Sequence, residues 1–352
     1  MSDSIYLDYQ ATTPLAPEVF AAMEPWLSEY FWNPHSAHSG GRKAAAAVET
    51  ARGQLSALLP AGGRVIFTSG ATEAINLAIK GCGQPVAAPA SEHAAVLDCV
   101  AYLHGDIFPI DADGAVNAMP AEPGLLAAML VNNEIGTIHP IADIADEIHS
   151  SGGLLLCDAV QGFGRIPIPE GPDLIAISAH KIHGPKGIGA LWMRDGITLE
   201  PLLHGGGQEQ GLRSGTLSPA LCVGFGAAAK LAAGRMEADA LHVSQLWERA
   251  TGLFADWTVN GSTEQRYKGN LNIRRDGLDV GRLMSECREV LFSAGSACAS
   301  GSGRPSHVLR AIGLSDAQAK SSIRLGFGRY TSLDDIERAA VIINAAAERQ
   351  LA

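Results

Sequence analysis

The sequence predicts an α/β protein built on a mostly parallel sheet with helices on both faces. Two observations carry this expectation. From about residue 16 to residue 230, short apolar runs alternate with helical stretches. The runs are continuously apolar, as in LLAAMLV (Leu125–Val131) and GLLLC (Gly153–Cys157). Strands of that kind are buried on both sides, as in a parallel sheet covered by helices. A third observation concerns size: 352 residues exceed what a single core usually holds, so a second domain is expected.

Taken in order, Ile5–Tyr9 reads as a short strand, and the Asn and Pro of Asn33–Ser36 mark a loop. Arg64–Thr68 (RVIFT) is a strand and Glu73–Lys80 a helix. Leu125–Val131 is a strand, Ile141–Ser150 an amphipathic helix, and Gly153–Cys157, Leu174–Ile177 and Gly189–Met193 are strands. The texture changes after about Ala233. A long helix is expected over Met236–Phe254, with strands at Asn270–Ile273, Val290–Phe292 and Ser322–Leu325. Helices are expected at Gly281–Cys287, Pro305–Ile312 and Leu333–Leu351. This places a large domain over residues 14–235. Residues 1–13 and 236–352 form a smaller α+β domain that carries a loop at about 293–304.

Composition excludes several classes. Apolar residues make up 47% and charged residues 18%, which excludes a disordered chain. A net charge of −11 argues against a nucleic-acid binder with a basic surface and against docking to anionic lipid. The longest apolar run, Pro219–Ala229, is too short to span a bilayer. Met1–Ser4 has no basic residue ahead of an apolar stretch, so a cytoplasmic protein without a secretory signal is expected. Six widely spaced cysteines with no CxxC pair disfavour a disulfide scaffold and a zinc site. The 40 glycines cluster at strand-to-helix junctions, where backbone can approach a ligand.

Three junctions carry chemistry. Thr68–Glu73, between a strand and a helix, can turn backbone N–H groups of Ala71 and Thr72 toward an anion; an ordinary side-chain cap by Ser69 or Thr72 is the plainer reading. Asp158 follows GLLLC at the strand's carboxyl end, where such sheets bind ligands; it could instead cap a helix. Gln161 is three residues on. Lys181 leaves the next strand in SAHKIHGPKG, a place where an amine can be desolvated enough to form an imine; a surface lysine is equally common. Together they supply an anion cradle, an acid and an amine at successive strand ends, the parts that pyridoxal 5′-phosphate (PLP) needs. No metal site is expected among the histidines.

Other residues are weaker alone. His93 could stack on a cofactor ring or simply cap a helix. Asn133 could bond cofactor or substrate, or hold a turn. The loop GGGQEQGLRSGT, ending at Thr216, suits an anion, a subunit junction or a linker. Arg324, or Arg329 behind it, could grip a carboxylate bidentately. Cys298 sits in the small, polar run SAGSACASGSG, where reactive thiols occur. The other five cysteines fall in strands and helices or at helix ends.

These motifs resemble the cysteine desulfurases of the class V aminotransferase family. YLDYQATTP, NPHSAHSGGRKA, TSGATEAINLAIKG, SEHAAV, NNEIGTI, CDAVQ, SAHKIHGPKGIGAL, GGGQEQGLRSGT, SAGSACASG and SSIRLGFGRYT all match, from residue 6 to about 331. The long cysteine loop resembles the group I, NifS/IscS-type members. The resemblance implies a type I PLP fold with a mainly parallel seven-stranded sheet, and a homodimer whose active site is shared. It implies that Lys181 binds PLP covalently, Asp158 pairs with the pyridine nitrogen, Gln161 meets the ring hydroxyl and His93 stacks on the ring and moves protons. Ala71, Thr72, Ser178 and His180 would hold the phosphate, with Thr216 of the second subunit. Asn133 would contact cofactor and substrate, and Arg324 would orient the substrate carboxylate.

Cys298 would take sulfur from L-cysteine as a persulfide, leave L-alanine, and pass the sulfur to an acceptor protein in iron–sulfur or thiolation chemistry. The alternatives on the same fold are a selenocysteine lyase and a true class V aminotransferase. Two departures stand out. Only 21 residues follow Thr331, whereas iron–sulfur assembly members continue into a longer tail that helps to dock their scaffold, so scaffold docking is not expected to carry over. Ala294 and Ala299 stand where the family usually has Ser and Thr, a change expected to leave the thiol in place.

Overall fold

The structure is a computed structural model that describes residues 4–116, 119, 124–294 and 305–352. The chain opens on a two-residue strand, β1 (Ile5–Tyr6). Seven strands then build the main sheet. They are β2 (Gly63–Thr68), β3 (Val86–Pro89), β4 (Asp106–Phe108), β5 (Leu125–Met129), β6 (Leu154–Asp158), β7 (Leu174–Ser178) and β8 (Gly189–Arg194). Their spatial order is β2-β8-β7-β6-β5-β3-β4. Every pair from β7 to β4 is parallel, and β8 alone runs against both of its neighbours. The sheet is therefore mostly parallel and seven-stranded.

Period-two side chains explain the continuous apolar runs. Ile175 and Ile177 enter one apolar cluster, with Leu126, Ala128, Phe67 and Trp192. Leu174 and Ala176 enter the opposite one, with Leu125, Ala127, Ile66 and Leu191. The first face is covered by α1 (Pro17–Ser28) and α2 (Ser39–Ser56), and the second by α3 (Ala71–Cys82) and α4 (Ala94–Tyr102). α5 (Ile141–Ser150) returns to the first face through Ile141, Ile144 and Ile148, as its apolar spacing requires. With no face left to water, chemistry is confined to the sheet's edge.

The next helix differs from expectation. α6 spans Pro219–Leu253 in one piece of 35 residues, where the sequence suggests an apolar run and a separate helix from Met236. Nothing in the intervening Lys230–Arg235 stops it: the stretch is alanine-rich, and Gly234 costs only about 1 kcal/mol in a helix interior. Its packing changes instead. Cys222, Phe225, Ala228 and Ala229 lie against the main sheet, while Val243, Leu246, Trp247 and Ala250 enter a different cluster. That cluster is built on an antiparallel sheet.

The remaining strands are β9 (Thr258–Val259), β10 (Asn270–Arg274), β11 (Val290–Leu291), β12 (Ser293–Ala294) and β13 (Ser322–Gly326). Four of them form the sheet β12-β13-β10-β9, and β1 pairs with β11 in parallel. α7 (Val280–Glu286) and α10 (Leu333–Leu351) cover this part, whereas α8 (His307–Ala311) and α9 (Asp316–Lys320) pack around Ile110 and Ile135. The sequence reading did not separate α9 from its surroundings. No helix among the described residues is long and apolar enough to cross a membrane.

One glycine sets the spacing between sheet and ligand-facing helix. A Cβ on Gly189 would lie 2.6 Å from the Gly70 carbonyl carbon and 2.7 Å from the Ala71 nitrogen. Both are backbone atoms that cannot swing aside. Gly189→Ala should therefore cost about 1–3 kcal/mol, the range for overpacking, read as a lowered midpoint in thermal denaturation.

Candidate active site

The carboxyl ends of β2, β5, β6 and β7 open into one cavity of about 630 Å³, within the range of small-molecule sites. Its floor at β2 is the N-terminus of α3. Gly70 occupies the N-cap and no side chain caps this helix, so the ordinary capping reading of Ser69 or Thr72 does not hold. Unpaired amide donors of the first turn carry the positive end of the helix dipole. The turn is held from behind. Glu73 accepts from the Ser69 amide at 2.7 Å and from Arg213 Nε at 2.8 Å. Burial would raise the Glu73 carboxyl, but Arg213 and Ser69 outweigh it and lower its pKa.

β6 delivers Asp158, which is 6% exposed. It accepts a hydrogen bond from the Val160 amide at 3.0 Å and makes no ion pair among the described residues. Burial pushes its carboxyl up, opposed by the Val160 amide, His93 and Lys181. It therefore holds a turn and caps no helix. A buried carboxylate of this kind is stabilised by any cation placed against it.

β7 delivers Ser178, and a 3₁₀ turn (Ala179–Lys181) follows. The Lys181 amine donates to the Gln10 carbonyl, and to the Ala11 carbonyl at 2.9 Å. Burial, with Arg165 and Arg324 close by, lowers its pKa to about 7, against the pull of Asp158 and Asp8. His180 Nδ1 is bonded to Thr12 Oγ1 at 3.1 Å. Its pKa falls to about 4 through burial and the charges of Lys181, Lys186 and Arg165, so the ring is neutral at pH 7. Gln161 donates to the Gln10 carbonyl at 2.9 Å, and its Oε1 accepts from Arg165 at 2.7 Å.

The opposite wall is formed by His93, Asn133 and Arg324. His93 caps α4 by accepting from the Ala95 amide at 3.1 Å, and it also lines the cavity, so both sequence readings apply. Arg324 is 1% exposed. It donates to Asp8 at 2.8 Å and to the Asn133 carbonyl at 3.0 Å. Arg324 Nε and Asn133 Oδ1 are both buried and unpartnered. Arg329 is not the alternative to Arg324: it is paired with Asp239 at 2.6 Å and lines a separate, small cavity behind Lys181.

Ala71, Thr72, His93, Asn133, Asp158, Gln161, Ser178, His180, Lys181 and Arg324 thus line one cavity. Thr216 does not; it is exposed at the end of the glycine-rich loop. Cys298 lies outside the described residues. Sequence reasoning assigned no chemistry to Asp8, Gln10, Ala11, Thr12 or Arg165. Their only signal was the YLDYQATTP motif and the arginine of CDAVQGFGR, which local spacing does not connect to a site.

Comparison with known proteins agrees with this geometry. Residues 5–339 match the family model described as aminotransferase class V. The chain belongs to that family. It is 42% identical to the cysteine desulfurase IscS of Rickettsia bellii and 41% identical to that of Rickettsia akari, each over 96% of this chain and 90% of the relative. Among solved structures, a NifS-like protein from Rickettsia africae ESF-5 superposes with a TM-score of 0.90 at 29% identity, covering 99% of each chain. A structure of SspA in complex with cysteine superposes with a TM-score of 0.83 at 34% identity, covering 94% of this chain and all of the other.

The lowered pKa of Lys181 has a direct readout. Above about pH 7 its amine is neutral, whereas exposed lysines stay charged to about 10.5. Between those values the unfolded chain holds a proton that the folded chain does not, so the cofactor-free fold gains stability as pH rises through this window. In the cofactor-free protein, labelling of Lys181 by a small acylating reagent should show a midpoint near pH 7, measured by peptide mass spectrometry. A midpoint near 10 contradicts the buried environment.

Proposed function

We propose that this class V aminotransferase family member is a PLP-dependent cysteine desulfurase, converting L-cysteine to L-alanine and collecting the sulfur on Cys298. The observation that carries the reading is the convergence, in one cavity, of an uncapped helix N-terminus, an unpaired buried carboxylate and a buried amine whose pKa is lowered to about 7. The relatives named cysteine desulfurase IscS and the cysteine-bound SspA structure support it.

The donor set fits PLP. The α3 N-terminus, with Ala71, Thr72, Ser178 and His180, suits its phosphate, and a Cβ on Gly70 would meet nothing within 4 Å, which leaves room for a ligand. Neutral His180 can donate or accept without repelling another group's proton. Asp158 lacks the cation that a protonated pyridine nitrogen would supply. His93 lines the wall beside the ring, Gln161 lies within the same cavity for the ring hydroxyl, and Lys181 provides the amine that binds it covalently. When bound, the cofactor supplies an electron sink for electrons released at the substrate's α-carbon.

The chain's own groups do the rest. Arg324 and Asn133 line the cavity, and Arg324 Nε and Asn133 Oδ1 have no partner among the described residues, which suits them to a substrate carboxylate and amine. Arg324 would share its charge between Asp8 and that carboxylate. Lys181, whose pKa burial lowers to about 7, would take the α-proton as general base. The Cys298 thiolate attacks the substrate sulfur. The sulfur–sulfur bond would form as the carbon–sulfur bond breaks; the substrate's β-carbon would gain the proton given up by the Cys298 thiol and its α-carbon would take its own proton back from Lys181, which completes L-alanine, with bound PLP supplying the electron sink that makes the cleavage possible. The product on the protein is a persulfide, passed on to an acceptor protein. Thr216 joins the phosphate site from a second copy of the chain, which makes the enzyme a homodimer. Five described cysteines without disulfides suit a reducing cytoplasm.

Alanine production from L-cysteine, with and without a thiol reductant, tests the reading. Cys298→Ala should lose at least ~100-fold in rate while keeping the visible absorbance of bound PLP, and Lys181→Ala should lose both activity and covalent attachment. Full-rate alanine and sulfide release by Cys298→Ala would remove Cys298 from the reaction.

A further inference from the structure

The segment that carries Cys298 is flanked on both sides by residues tied down beside the cavity wall of His93, Asn133 and Arg324. Upstream, Ser293 and Ala294 form β12, with Ser293 paired opposite Arg324. Downstream, the attachment is to the main-sheet side. Ser306 Oγ donates to the Glu134 carboxylate, and His307 Nε2–H donates to the Glu92 carbonyl at 2.9 Å. Glu134 directly follows Asn133, and Glu92 directly precedes His93. Each anchor is therefore one residue from a side chain that lines the cavity.

The downstream attachment is built to be specific. Ser306 is 5%, Glu134 2% and Glu92 0% exposed. A hydroxyl-to-carboxylate bond at such burial is short, directional and stronger than a neutral one. Ser306 also caps α8 by accepting from the Leu309 amide at 3.1 Å. α8 has five residues, too few to be stable alone. It rests on Val308 and Leu309, packed with Ile110 and Ile135. The apolar contacts seat the helix on the protein, and the two polar bonds set its register beside the cavity wall. Ten residues, 295–304, separate the two tied ends, with Cys298 four residues after Ala294 and seven before Pro305.

We propose that Ser306 and His307 are positioning residues for the Cys298 thiol, forming with Glu134 and the Glu92 carbonyl a clasp that fixes where the thiol's tether meets the cavity wall. The proposal rests on Cys298 being the sulfur acceptor. Proximity explains the effect. A tethered nucleophile gains its rate from how often it reaches the attack geometry, and a misplacement of about 1 Å can cost on the order of 100-fold. None of the four clasp residues lines the cavity, so proton removal at the substrate's α-carbon should proceed without them.

Three measurements on the PLP-loaded enzyme separate these roles: exchange of the L-alanine α-proton with deuterated water, single-turnover persulfide formation on Cys298 by mass spectrometry, and thermal denaturation. Ser306→Ala and His307→Ala should each slow persulfide formation about tenfold or more. Exchange at L-alanine and KM for L-cysteine should stay within about twofold of the starting enzyme. Ser306→Thr, which keeps the hydroxyl, should recover most of the rate. His307 is exposed, so its variant folds even where Ser306→Ala does not. Native persulfide rates in both alanine variants overturn the proposal, and so does a parallel fall in α-proton exchange, which would signal a distorted cavity. Full-rate alanine release by Cys298→Ala instead overturns the reading of Cys298, whatever the clasp variants do.

Discussion

A short N-terminal strap, residues 8–14, holds the buried amine of Lys181, and the rest of the site depends on that hold. Among the described residues the amine has no carboxylate in contact. Its partners are the carbonyls of Gln10 and Ala11, with Arg165 and Arg324 near enough to depress its proton affinity. The same strap positions the neighbours. Thr13 donates to the His180 carbonyl at 2.9 Å and accepts from the His183 amide at 2.8 Å. Asp8 holds Arg324, and the Gln10 side chain donates to the Gly269 carbonyl at 2.7 Å. An amine held by carbonyl dipoles in a low-dielectric site keeps its geometry without a counter-charge that would keep it protonated. That is the condition a general base near neutral pH requires.

A second buried cation joins the two sheets. Arg266 has its guanidinium 4.4 Å from the Trp247 ring centroid and donates to the Ile135 carbonyl at 2.8 Å and the Asn270 carbonyl at 2.9 Å. No acid among the described residues pairs with it, and burial lowers its pKa to about 9. Ile135 belongs to the loop after β5, and Asn270 begins β10. Asn270 and Asn272 add bonds from β10 to the carbonyls of Asn133 and Glu134. The Asn133–Ile135 loop is thereby fixed from the antiparallel sheet, which is why Asn133 and Arg324 meet on one wall.

What was legible in the sequence follows from burial. Strands covered on both faces must be continuously apolar, so β5, β6 and β7 could be read directly, and Asp158 and Lys181 mark the points where the apolar run ends. The α5 and α10 boundaries agree with their periodicity for the same reason. The strap was legible only as a resemblance, because contacts such as Asp8 to Arg324 join residues 316 apart, and no local pattern encodes a partner at that distance. The continuity of α6 was missed because a helix that changes packing partners midway has no single apolar stripe to follow.

The strap also orders events during synthesis. Asp8 leaves the ribosome early and Arg324 near the end, so at roughly 5–20 residues per second the two are separated by about 15–60 s. Until β13 arrives, the strap lacks its guanidinium partner, and β1 lacks β11. The amine, carboxylate and helix N-terminus on the main sheet can all be present in a chain whose cavity still has one wall missing. The cavity therefore reaches its final geometry late, only when β13 brings Arg324 to the strap, so a chain can hold the buried amine before it holds a closed site around it.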